Sequence, residues 1–299
     1  MTLERVVSSP RTINAGLFLS QHTPVPVGHS VTWWLSGLVC RLQPYTYHAV
    51  RANVGQVLGP DVEARALERI IRQIFYHFFR GYYDLFRSLG LPYEELVDLV
   101  HIPEVIRQLL TPEGRGNRPL ILVMAHIGNF DLVGQVVAHY TRDLQVLSLP
   151  DPHPGFRSLN TLRERGGARV TPLGPAALRQ AIRTLRDGAT VVVGGDRPVS
   201  QLDEPVSFFG RPARVPSAHV RLALRSDALV IPVCCAFEPE TRRYALQYEE
   251  PLVMLRTGDR EEDAVLNMRR ILDSLEAMIR RWIDQWLMFV PVWPELMEE

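Results

Sequence analysis

LILVMAHIGNFD, residues 120–131, starts as an unbroken apolar run and ends on a histidine, a glycine and an acid. Apolar residues at every position, not every second one, mark a strand buried on both faces, as in the parallel sheets of α/β proteins. The strand reads as Leu120 to Ala125, with His126 at its end and Gly128 permitting a tight turn. Asn129 then stands as a plausible helix N-cap ahead of LVGQVVAHY. That places Asp131 in the first helical turn, where the helix dipole favours an acid.

Outward from this unit the pattern repeats. LQVLSL (144–149), ARVTP (168–172), ATVVVGG (189–195), LVIPVCCAF (229–237) and YALQYEE (244–250) read as strands, and 130–141, 155–166, 175–187, 216–226 and 261–288 as helices. Such alternation predicts an α/β fold, an αβα sandwich with a mostly parallel central sheet flanked by helices. Functional groups in such sheets gather at the carboxyl ends of the strands.

The N-terminal part is organised differently. Residues 1–28 read as an arm, and 29–299 as one domain made of a helical cap (29–110) and an α/β core (119–299). HSVTWWLSGLVCRL, from His29, offers Trp33, Trp34, Leu35, Leu38 and Leu42 for one broad apolar face. That signature is shared by a helix lying in a membrane interface and a helix packed on the body of the protein. A second helix is expected over Val62 to Leu89. Its aromatic residues suit core packing, and some of them a groove for an alkyl chain.

Composition excludes several chemistries. The 33 basic residues balance 33 acidic ones, so no overall field draws the chain to nucleic acid, and no nucleic-acid partner is expected. All 33 are arginine; without lysine, a Walker A motif, a Schiff base and a catalytic lysine are all ruled out. Cys40, Cys234 and Cys235 form no CxxC pair and read as buried thiols. No window approaches the roughly 18–20 apolar residues needed to span a bilayer, and no signal peptide is evident. A cytosolic protein, or one lying on a membrane without crossing it, is expected.

His126 and Asp131 would point about 140° apart on one continuous helix, so they can meet only if the chain turns between them. A carboxylate on one imidazole nitrogen fixes the tautomer and leaves the other free to take a proton. No GxSxG motif is present for an acyl-serine route. Direct attack remains: His126 takes a proton from a hydroxyl whose oxygen attacks a carbonyl. HxxxxD is not a usual zinc spacing, and no metal site is expected. The plainer alternative leaves Asp131 as a helix-start acid and His126 as a turn residue.

HIGNFD resembles the HxxxxD/E motif of the late acyltransferases of lipid A biosynthesis and their relatives, the phosphatidylinositol mannoside acyltransferases. LRERGGARVTPL (162–173), GGDRP (194–198), FFGRPARVPSAHVRLALRSDALVIPV (208–233) and QWLMFVPVWPE (285–295) resemble further blocks of that family in the same order. The resemblance implies an enzyme on the cytoplasmic face of the membrane, peripheral to it. It would carry an acyl group from acyl-CoA or acyl carrier protein to a hydroxyl of a glycolipid or phospholipid acceptor, without metal or redox cofactor. It implies His126 as catalytic base with Asp131 as partner. Asn129, Asn160, Arg163, Asp196, Arg197, Glu204, Arg211 and Arg214 become substrate-binding candidates, the arginines because guanidinium suits phosphate. Lipid A enzymes usually begin with a membrane-spanning helix, absent here, which favours the mannoside-type relatives. VPVW also stands where many relatives carry basic residues. A glycerol-phosphate or lysophosphatidic acid acyltransferase shares the motif, but PEGRG (112–116) precedes His126 and so stands in the wrong order for its PEGTR-like block. A lipid-binding protein without activity is the alternative from another class.

Overall fold

A computed structural model describes residues 10–141, 143–150, 154–200 and 203–297. The strands are β1 (Val100–His101), β2 (Leu120–Gly128), β3 (Leu144–Ser148), β4 (Ala168–Pro172), β5 (Thr190–Gly194), β6 (Val206–Phe208), β7 (Arg211–Ala213), β8 (Leu229–Glu238) and β9 (Arg243–Tyr248). The helices are α1 (Pro10–His22), α2 (Val25–Leu42), α3 (Tyr45–Leu58), α4 (Ala64–Ser88), α5 (Tyr93–Leu99), α6 (Glu104–Leu110), α7 (Phe130–Tyr140), α8 (Pro154–Arg165), α9 (Pro175–Arg186), α10 (Ala218–Ser226) and α11 (Arg260–Arg281).

Seven strands form one sheet in the order β1-β9-β8-β2-β5-β3-β4, parallel except where β9 runs against β8. The expected mixed α/β architecture with a mostly parallel sheet is present. β2 is central, and its alternation divides the interior. Ile121, Val123, Ala125 and Ile127 join the core under α9, α10 and α11. Leu120 and Leu122 join the core under α7 and the end of α4. Burial on both faces is what the continuous apolar run requires.

The chain ends differ in detail from the pattern read in the sequence. The N-terminal stretch read as an arm contains helix α1, and α2 begins at Val25; residues 1–9 lie outside the described set. α1 is held to α4, where Arg87 donates to the carbonyls of Ser20 and Thr23. The last helix ends at Arg281 rather than near 288. After it comes a 3-10 turn, Ile283–Gln285, and the chain then runs past the sheet end, where Gln285 bonds both backbone groups of Phe237. The expected apolar face on α2 is present and points outward. Gly28, Thr32, Ser36 and Val39 are buried, while Val27, Val31, Trp34, Leu35, Leu38 and Leu42 are exposed. Small residues let α2 approach α4 closely, and a Cβ on Gly28 would meet the Tyr83 ring. No helix among the described residues is long and apolar enough to cross a membrane.

Candidate active site

Strand register builds the site. Met124 of β2 pairs with Gly194 of β5, so His126 and Asp196 each lie two residues beyond one paired position, on adjacent strand ends. On the other side the β2–β8 register slips: four residue steps from Met124 to Gly128 face two from Val233 to Cys235. A bulge of this kind re-aims side chains next to active sites. Gly128 closes it at φ +66, where a Cβ would sit 1.9 Å from the Cys235 carbonyl oxygen; glycine is needed there.

The carboxylate on His126 is Asp196. The Nδ1 group of His126 lies 2.5 Å from Asp196 Oδ1, and the backbone N–H of His126 donates to Oδ2 at 2.8 Å. Trp286 Nε1 also donates to Oδ2 at 2.8 Å. Burial alone would raise the Asp196 pKa, but the charge and hydrogen bonds of His126, with the indole bond, hold it below the usual carboxylate value. With Nδ1 engaged by Asp196, Nε2 is the other ring nitrogen of a side chain that lines two pockets. The imidazole rests on Gly194, whose Cβ would come within 2.8 Å of Cε1, and Phe130 meets it edge-on.

Asp131 sits in the first turn of α7 as expected, but it engages Arg163 rather than His126. Arg163 Nε donates to Oδ1 at 2.5 Å and Nη2 to Oδ2 at 3.3 Å, while Nη1 donates to Asn160 Oδ1 at 2.7 Å. Burial would lower the Arg163 pKa; Asp131 overrides this and raises it. The spacing pattern brought Asp131 into the site while misplacing its bond. Asn129 is the expected N-cap, accepting from Leu132 N–H at 3.2 Å, and its amide also donates to the Gly81 carbonyl at 2.9 Å.

Two pockets meet at His126. One is an apolar slot between the sheet and α7, lined by Leu122, Met124, Val133, Gly134, Val137, Leu144, Ala168 and Val192, with Asn160, Arg163, Asp131 and Arg197 among its polar lining. The other lies between α4 and the C-terminal segment, lined by Phe78, Tyr82, Leu85, Asn129, Arg197, Leu287 and Phe289. Of the aromatic residues expected on the long helix, Phe78 and Tyr82 line this second pocket, whereas Phe75 and Phe86 are core.

The remaining candidates lie elsewhere. Arg211 bonds Gln56 at 3.1 Å and pairs with Glu295 at 3.5 Å; Arg214 is exposed and bonds the Asp203 carbonyl; Glu204 is exposed. None of the three lines either pocket. Their block forms the β6–β7 hairpin, whose Phe208 and Phe209 pack on Trp293 and Trp286, so it supports the site from outside. VPVW is likewise structural, with Asn53 accepting from Val292 N–H at 2.9 Å. Trp286 was not singled out from the sequence; only its place in the QWLMFVPVWPE block marked it.

The sequence model of the family described as bacterial lipid A biosynthesis acyltransferase matches residues 10–295. The chain is 25% identical over 251 residues to a phosphatidylinositol mannoside acyltransferase of Mycolicibacterium smegmatis, covering 82% of this chain and 78% of that protein. A phosphatidylinositol mannoside acyltransferase of Mycobacterium tuberculosis is 27% identical over 122 residues, 40% of this chain and 39% of its own.

Proposed function

This chain belongs to the bacterial lipid A biosynthesis acyltransferase family and is an acyltransferase, and we propose that it esterifies a hydroxyl of a phosphatidylinositol mannoside-like glycolipid with a fatty acyl group from acyl-CoA or acyl carrier protein. One observation carries the reading: a histidine whose Nδ1 is tied to a buried carboxylate stands where an apolar slot and a second pocket meet. The slot takes the acyl chain, since its walls are aliphatic and offer a long chain dispersion contacts without polar competition. The acceptor hydroxyl arrives through the second pocket.

Neutral His126 accepts the hydroxyl proton on Nε2 as the acceptor oxygen attacks the thioester carbonyl. Asp196 stabilises the imidazolium that forms. The tetrahedral oxyanion develops beside the N-terminus of α7 and Arg197, both electropositive. Collapse breaks the C–S bond, and the thiolate takes the proton back from Nε2, giving ester and free thiol. The step as written calls for no metal or redox cofactor. Asp131 and Arg163 shape the slot entrance with Asn160. The outward apolar face of α2 seats the enzyme on the cytoplasmic face of the membrane, where a lipid acceptor is presented.

Purified protein with radiolabelled palmitoyl-CoA and phosphatidylinositol mannoside should give an acylated glycolipid, and His126→Ala should abolish it. Transfer by His126→Ala at the wild-type rate would falsify the mechanism.

A further inference from the structure

Asp196 is charged where water does not reach, with its side chain wholly buried. Two of its hydrogen bonds come from His126, the residue it orients. The third comes from a distant part of the chain, the Trp286 indole. A carboxylate oxygen that lost this donor would have no water to replace it.

The segment carrying Trp286 is held on several sides. Gln285 Oε1 accepts from Phe237 N–H at 2.7 Å, and its Nε2 donates to the Phe237 carbonyl at 2.8 Å. Trp286 bridges to Ile127, and Leu287 N–H donates to the His126 carbonyl at 2.7 Å. Asn53 then holds the carbonyls of Met288 and Val290. Trp286 itself lines neither pocket. Among the described residues the indole N–H groups of Trp282 and Trp293 find no partner, so a bonded indole is not a general feature of this core.

We infer that Trp286 is a positioning residue that holds the Asp196 carboxylate as the partner of His126 Nδ1 and thereby sets the basicity of Nε2. The inference rests on His126 acting as the base. A donor to a carboxylate stabilises its charged form, and removing it makes the carboxylate hold a proton more tightly. The Asp196–His126 pair then releases its shared proton only at higher pH. Turnover falls and its acid limb moves upward, while substrate binding is untouched.

Trp286→Phe keeps an aromatic ring against Phe209 and removes the donor. With palmitoyl-CoA and phosphatidylinositol mannoside, kcat should drop about tenfold to a hundredfold, with KM unchanged and the acid limb shifted to higher pH. A folded variant with wild-type kcat and an unshifted limb overturns the inference. A second measurement needs no variant to fold. In wild-type protein carrying 15N-labelled tryptophan, one indole N–H resonance should move with pH in step with the His126 ring protons, and the absence of any such resonance overturns it equally. If wild-type protein transfers no acyl group, the proposed function fails, while the titration still decides the role of Trp286.

Discussion

Asp196 lies 2.5 Å from His126 Nδ1, and Asp131, five residues from His126 in the chain, lies 2.5 Å from Arg163. The two acids of the site thus have separate partners: one bonds the His126 imidazole, the other an arginine that lines the slot. Asp196→Asn, which keeps the shape and removes the charge, should lower kcat on the order of a thousandfold. Asp131→Ala strands a largely buried guanidinium and should cost about 3 kcal/mol of stability, seen as a lower Tm, with a smaller loss of kcat in the protein that remains folded. A larger kcat loss in folded Asp131→Ala than in Asp196→Asn would reverse the assignment.

Sequence reading located the strands well because buried strands of a parallel sheet announce themselves at nearly every position; β2, β5 and β8 lie within a few residues of their apolar runs. It failed where structure depends on distant partners. YTYHAVRANVGQVL, which forms α3, carries only a narrow apolar stripe, Tyr47, Val50, Val54 and Val57, and Asn53 fastens it to the C-terminal segment. The β6–β7 hairpin has three residues in each strand and depends on positive φ at Phe209 and Gly210. His126 was legible as a histidine near the end of its strand. Its bond to Asp196 was not, because HxxxxD is a pattern along one segment and the observed pair is a register relation between β2 and β5.

Gly134 offers a way to test what fills the slot. It lies in α7 on the slot wall, and a Cβ there would meet nothing within 4 Å. Gly134→Leu should therefore gain helix propensity, about 0.8 kcal/mol, and raise Tm slightly while its side chain occupies the slot. The ratio of kcat/KM for palmitoyl-CoA to that for lauroyl-CoA should fall at least several-fold. An unchanged ratio would place the acyl chain elsewhere.

Acid stability should depend on His219. The ring is fully buried in α10, neither nitrogen has a partner among the described residues, and burial lowers its pKa from 6.5 to about 4. Because the folded value is depressed, the unfolded chain takes up the proton first. Its contribution is intact above pH 6.5 and is lost as pH falls toward 4, about 3 kcal/mol in all. Half-buried His77, lowered to about 3, adds its own slope, so the comparison must be differential. His219→Leu should unfold at lower pH than wild type in denaturant titrations, and parallel stability curves for the two proteins would refute the assignment.

Membrane association makes the last prediction. Trp34 is 78% exposed and Leu38 50%, on the face of α2 turned away from α4, so neither contributes much to the fold. A surface helix normally buries its apolar stripe; this one buries Gly28, Thr32 and Ser36 instead, leaving the stripe for another apolar phase. Trp34→Glu combined with Leu38→Glu should keep the wild-type Tm and weaken binding to phospholipid vesicles by roughly a hundredfold, about 3 kcal/mol of lost apolar contact. Activity on a micellar acceptor should survive while activity on vesicle-embedded acceptor falls. Vesicle sedimentation equal to that of wild type would show that some other surface meets the lipid.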